Sequence, residues 1–117
     1  MKTILSALLL CLLLNGVVEA SHGAGYSWNR NPEFTVTIYD GTTIPGWHNA
    51  IVAAAAEWSL SPVLDFVVVV TNTCNKRNGA VVMCNGSLIG NMQGLTTIKL
   101  NGTNIAWVKI ILTDDWL

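Results

Sequence analysis

The sequence predicts an α+β domain, a twisted mixed β-sheet of four to five strands with one long helix on one face. Three observations lead there. Residues 45–59, PGWHNAIVAAAAEWS, repeat apolar positions at helical spacing. An alternating run at 34–39 precedes them and a continuous apolar run, LDFVVVVT, follows at 64–71. Asn101-Gly102 then stands between two further apolar segments, a strong hairpin signal.

Taken in order, residues 21–33 hold Gly, Ser, Asn and one Pro and read as an exposed lead-in, so the domain proper is expected over 34–117. Phe34, Val36 and Ile38 alternate with threonines, as in a half-buried strand with those three facing the core. Asp40-Gly41-Thr42-Thr43 turns the chain into the helix. Pro45 suits a first-turn position, and Ser61-Pro62 closes the far end, because a residue before proline is pushed out of the α region. A helix from Pro45 to Leu60 would be about 24 Å long. Its apolar stripe is expected at Trp47, Ile51, Ala54 and Trp58, and Trp47, Trp58 and Phe66 are the expected core anchors.

The run 64–71 is β-branched and does not alternate, which predicts a strand central in the sheet or covered on both faces. Strand, helix and strand in that order predict a βαβ unit with parallel strands. Residues 72–79 are polar and turn-rich; Ala80 to Met83 reads as a short strand, and 85–94 as loop. Leu95–Leu100 and Val108–Thr113 complete the set. One helix covers one side only, so the opposite face of this apolar sheet is expected to lack a cover.

Met1 to Ala20 has the three parts of a secretory signal: Lys2, the apolar run Ile4 to Leu14, and Val18-Glu19-Ala20 before Ser21. That run is far shorter than the roughly 20 residues of a spanning helix, so no membrane attachment is expected after cleavage. Residues 21–117 then form a secreted, extracellular chain with five Lys+Arg and six Asp+Glu. No basic patch or acidic tail points to nucleic acid or a membrane surface. Cys74 and Cys84 remain, and an even pair in an exported chain predicts one disulfide. Asn85-Gly86-Ser87 and Asn101-Gly102-Thr103 fit the N-glycosylation pattern, making Asn85 and Asn101 candidate acceptors.

Chemistry-bearing patterns are sparse. His22 lies in the lead-in and His48 beside Trp47, where a helix-surface histidine is the expectation; no HExxH or i, i+4 His pair occurs. The glycines at 86, 90 and 94 have the wrong spacing for a phosphate loop. Asp114 and Asp115 supply oxygen atoms for a cation such as calcium, but two adjacent acids fall short of its six or more ligands. The residues alone predict no catalytic and no metal-binding set.

The distribution of residues over the mature part does resemble a known family. Trp47, Ala50, Ala54 and Glu57-Trp58-Ser59, followed by the strand from Ser61-Pro62 to Val69, are similar to the front half of a secreted zinc metallopeptidase of the metzincin or matrixin-like type. Gly94-Leu95-Thr96-Thr97-Ile98 and Trp107 to Asp114 resemble its later strands, so the likeness runs from about Phe34 to Leu117. The resemblance implies a partial, upper metzincin-like subdomain whose edge strand runs along a substrate cleft. The family's zinc ligands and catalytic glutamate lie on a later helix carrying HExxHxxGxxH, a motif not found in residues 1–117. No catalytic residue carries over, and Glu57 belongs to a different helix. The expected function is that of an amino-terminal scaffold of a secreted zinc-dependent endopeptidase, a hydrolase fragment inactive by itself. Zinc is implied for the complete family member, and a peptide or protein substrate once a catalytic half is joined. The alternative is a small secreted binding or accessory module on the same scaffold.

Overall fold

The computed structural model describes residues 25–28 and 34–115. The expected signal segment 1–20 and most of the lead-in lie outside the described residues, as do His22 and the Trp116-Leu117 end. Among these residues six strands, where four to five were expected, and one helix follow in order: β1 (Ser27–Trp28), β2 (Thr35–Asp40), α1 (Pro45–Trp58), β3 (Asp65–Val70), β4 (Val81–Gly86), β5 (Gly94–Asn101) and β6 (Asn104–Thr113). They form one sheet in the order β3-β2-β4-β6-β5. The two-residue β1 lies beside the start of β6, pairing Ser27 with Asn104. Pairing is parallel throughout except between β5 and β6, which are antiparallel, so the α+β class with a mixed sheet holds.

β2 and β3 are parallel neighbours in register from Thr35↔Asp65 to Asp40↔Val70, with α1 as their crossover. Val36 and Ile38 are buried and Phe34 packs against the same core, as alternation predicts. The hairpin also forms: Asn101 pairs with Asn104, and Gly102 takes φ 61°, a conformation that costs a glycine little. A register irregularity between Lys99 and Leu100 bends β5 near that turn.

β3 departs from expectation. It is the outer strand of the sheet, and Val70 is 71% exposed. Its run of valines reads as doubly covered, but only Phe66 and Val68 meet the core. The strand buried on both sides is β4, which extends beyond Met83 to Gly86 and so takes in two residues read as loop. The lead-in is likewise not wholly free, because Trp28 packs against the core.

The helical stripe is rotated by one residue from the expected one. α1 ends at Trp58, and its buried positions are Ile51 and Ala55, with Trp47 half-buried on the same line. Trp58 is 65% exposed, which corrects its expected place as a core anchor. A stripe at i, i+4, i+8 slews around a 3.6-residue helix, so choosing 55 over 54 turns the helix far enough to carry Trp58 to the rim. The Ser59 hydroxyl accepts the Phe66 N–H at 2.8 Å, tying the end of α1 to β3.

The uncovered area is also not where the sequence predicts it. On the face away from α1, Val82 is fully buried, and residues 71–79 lie across β2, β4 and β6 as a strap. Cys74 is bonded to Cys84 of β4, the Arg77 guanidinium lies 4.1 Å from the Tyr39 ring centre, and the Lys76 ammonium 4.7 Å from that of Trp107. On the α1 face a groove of about 500 Å³ opens between helix and sheet. Trp47, Ala50, Ala54 and Trp58 form one wall and Met83, Ile110 and Leu112 the other. Five main strands spaced roughly 4.8 Å apart make a sheet about 24 Å wide. A single helix about 10–12 Å in diameter covers half of it. Among the described residues the open apolar area therefore lies on the α1 face.

Candidate functional site

The four main parallel strands all end on one side of the molecule, and their order reverses between β2 and β4: from β2 the chain moves outward to β3, then returns across to β4. In α/β sheets this is where the backbone opens a crevice. Here it gathers Asp40 from the end of β2, Thr42 and Thr43 from the turn, His48 from the first turn of α1, Asn85 from β4 and Asp114 after β6.

Gly41 fixes the approach. Its N–H donates to the Met83 carbonyl at 2.8 Å. A Cβ there would meet the Thr73 carbonyl oxygen at 3.0 Å and the Cys84 sulfur at 3.1 Å, so the close passage of turn, strap and β4 favours a glycine. The preceding Asp40 is only 1% exposed, and both of its oxygens are satisfied. Oδ1 accepts from the Thr42 amide at 2.9 Å and hydroxyl at 2.6 Å; Oδ2 is 2.6 Å from His48 Nδ1. Burial pushes the Asp40 carboxyl toward its protonated form, but the bonds from the Thr42 hydroxyl, His48 and the Thr42 amide, with the imidazole charge, outweigh it. Its pKa lies below the ordinary 3.8.

A second chain of bonds runs alongside. The Thr43 N–H and hydroxyl donate to Asn85 Oδ1 at 2.7 and 3.2 Å. Asn85 Nδ2 donates to Asp114 Oδ1 at 2.7 Å, and the Ser87 hydroxyl to the other Asp114 oxygen at 3.4 Å. Trp47 Nε1 donates to the Thr113 carbonyl at 2.7 Å, so the same turn of α1 is fastened to β6.

A carboxylate on Nδ1 fixes the tautomer of an imidazole and leaves Nε2 to exchange protons. The His48 side chain is 41% exposed. Among the described residues no hydroxyl bonds to it. Those of Thr42, Thr43 and Ser87 are committed to Asp40, Asn85 and Asp114, and both cysteine sulfurs to the disulfide. Among the described residues no three His, Cys, Asp or Glu side chains converge as a metal cradle. No described helix is long and apolar enough to cross a membrane. These bonds form a latch, fastening the start of α1 to the ends of three strands.

Comparison with known proteins adds nothing further. No family model, curated protein or solved structure matches the chain. Of the residues singled out in the sequence, Cys74 and Cys84 come together, with Cα atoms 6.1 Å apart. Asn85 and Asp114 meet in the latch, Phe66 and Trp47 line the groove with Trp58, and Asn101 and Glu57 lie apart from it. The residue that sequence reasoning missed is Asp40, taken for the start of a turn. The available signal was its place in the β2 alternation, on the same parity as Val36 and Ile38.

Proposed function

We propose that this chain is the sheet-and-helix scaffold of a secreted zinc-dependent endopeptidase, contributing peptide alignment and a seat for a catalytic helix but no catalytic group of its own. The observation that carries this reading is the apolar groove beside α1. Its walls are small in the middle, at Ala50 and Ala54, and bulky at the ends, at Trp47 and Trp58. Those ends lie about 16 Å apart along the helix, room for three turns of a second helix. The edge strand β5 supports the same reading. It is antiparallel to β6 and exposed along its whole length, so an extended peptide can add to it by main-chain bonds, with alternate side chains facing Thr96 and Ile98 or Leu95 and Thr97.

Zinc enters only as what the catalytic helix would carry; no step is routed through it here. The chain's own part is to hold the sheet rigid and present the β5 edge next to the seat. The test is to read the coding sequence in frame beyond Leu117 and, where HExxHxxGxxH follows, to assay the joined protein for peptide cleavage. An uninterrupted open frame without that motif, or a joined protein with no peptidase activity, overturns the proposal. Titration of residues 21–117 with zinc is expected to show no stoichiometric site, and tight one-to-one binding would put the metal centre within this chain instead.

The buried far face favours a second reading, a self-standing accessory module that binds extended peptides along β5. A sharp unfolding transition and a monomeric profile for residues 21–117 support it. Aggregation or binding of a hydrophobic dye at the groove supports the scaffold reading.

A further inference from the structure

The two glycosylation motifs occupy opposite environments. Asn85 lies within β4, half-buried, with its amide between two partners: Oδ1 accepts from the Thr43 N–H and Nδ2 donates to Asp114. These bonds join positions 42 and 29 residues apart, so the side chain holds the turn before α1 to the end of β6. A glycan on Nδ2 would replace a hydrogen of that nitrogen and insert a sugar into the latch. Asn101 is the contrary case. It ends β5 at the open corner of the hairpin, is exposed, and faces the turn Gly102-Thr103. No hydrogen bond engages its side chain among the described residues.

We propose that Asn101 is the carbohydrate-bearing residue of this protein and that Asn85, in spite of its matching motif, is a structural amide left unmodified. In the transfer, Asn101 Nδ2 forms a bond to the anomeric carbon of an oligosaccharide carried on a lipid-linked diphosphate. The bond from that carbon to the phosphate oxygen breaks, the lipid diphosphate departs, and the amide loses one proton. No electron is gained or lost. Such a glycan would also guard a bare edge strand against pairing with a second copy. β5 has no proline and one charge, Lys99, and a bulky solvated group at its end blocks edge-to-edge pairing.

The inference rests on the reading of the chain as exported, and the experiment separates the two. The full chain is produced in a eukaryotic secretory host, once with its own first 20 residues and once with a proven leader in their place. Intact mass and peptide mapping are read before and after enzymatic removal of N-glycans. One glycan, on Asn101, is expected in the proven-leader form. Thr103→Ala and Asn101→Gln should lose it, while Ser87→Ala and Asn85→Gln should keep it. The Ser87→Ala arm spares the Asn85 amide, so it remains informative where Asn85→Gln fails to fold. A glycan on Asn85, on both residues or on neither, in the proven-leader form, overturns the proposal. Retention of the native-leader form inside the cell counts against export alone.

Discussion

On the face away from α1 the central strand β4 is sealed by a strap of irregular chain, pinned by one covalent bond and two cation–aromatic contacts. On the other face the same strand meets a 14-residue helix that is latched at one end and covers half the available width. The strap carries no apolar stripe and is bonded to the strands only near its ends, from the Thr71 N–H to the Asp40 carbonyl at 2.9 Å and from the Gly79 N–H to the Ala106 carbonyl at 2.7 Å, so the position of its middle depends on the pin. The helix needs no covalent pin, because Ile51 and Ala55 drive it onto Val36, Ile38, Val81 and Val108. Among the described residues the pinned face is closed, while the packed face keeps an open apolar groove.

That contrast breaks most directly at the disulfide. Replacing Cys74 and Cys84 with serine is expected to cost roughly 3 kcal/mol by chain entropy for so short a loop. Loss of the strap should at the same time expose Val82 and Trp107, visible as a red shift of tryptophan emission on reduction. Denaturant unfolding with and without reductant measures the first effect. A loss below 0.5 kcal/mol on that order-of-magnitude scale, with unchanged emission, would mean that the strap holds without its pin.

The latch comes next. Asp40→Asn leaves the Thr42 and His48 bonds without a charged acceptor, which should cost about 2 kcal/mol at pH 7. The pH dependence has a definite sign. The folded Asp40 carboxyl titrates below 3.8, whereas in the unfolded chain it returns to the ordinary value. Its contribution is complete above that value and is lost as pH falls through the lower, folded one. Wild-type stability should therefore drop more steeply than that of Asp40→Asn below about pH 4. Parallel slopes in an acid titration of the unfolding midpoint would remove Asp40 from the account.

What the sequence disclosed divides along the same line. Local signals were legible: the 34–39 alternation, the βαβ order, the Asn101-Gly102 turn and the cysteine pair each depend on neighbours or on one strong preference. Position within the sheet was not. LDFVVVVT reads as central because it is apolar on both faces, yet it forms the edge, while the shorter VVMC carries the burial. Residue type reports what a strand tolerates, and its neighbours are fixed by long-range pairing. The latch was hidden for a related reason. Asp40, His48, Asn85 and Asp114 are scattered through the chain and meet only once three parallel strands end together.

The two tryptophans of α1 test the rotated stripe. Trp47→Phe removes the bond from Nε1 to the Thr113 carbonyl and should cost about 1 kcal/mol. Trp58→Phe, at an exposed position with no recorded bond, should change stability by less than about 0.5 kcal/mol. Equal losses in thermal unfolding would restore Trp58 to the core.

The smallest effect decides the groove. Ala54 lines it and is exposed, so Ala54→Leu places three more carbons where there is room. In residues 21–117 alone the change should be near neutral, within about 0.5 kcal/mol: the slight loss in helix propensity is offset by apolar contact with Trp58 and the sheet. Were the helix instead to sit flush on the sheet, the added volume would overpack it and cost roughly 1–3 kcal/mol. The same substitution acts differently if a second helix belongs in the groove, because Ala54 is then at a close helix–helix approach. A joined protein carrying Ala54→Leu should lose stability and peptidase activity together, while the shorter chain is unaffected. Neutrality in both forms would leave the groove a surface feature and remove the main support for a catalytic partner helix.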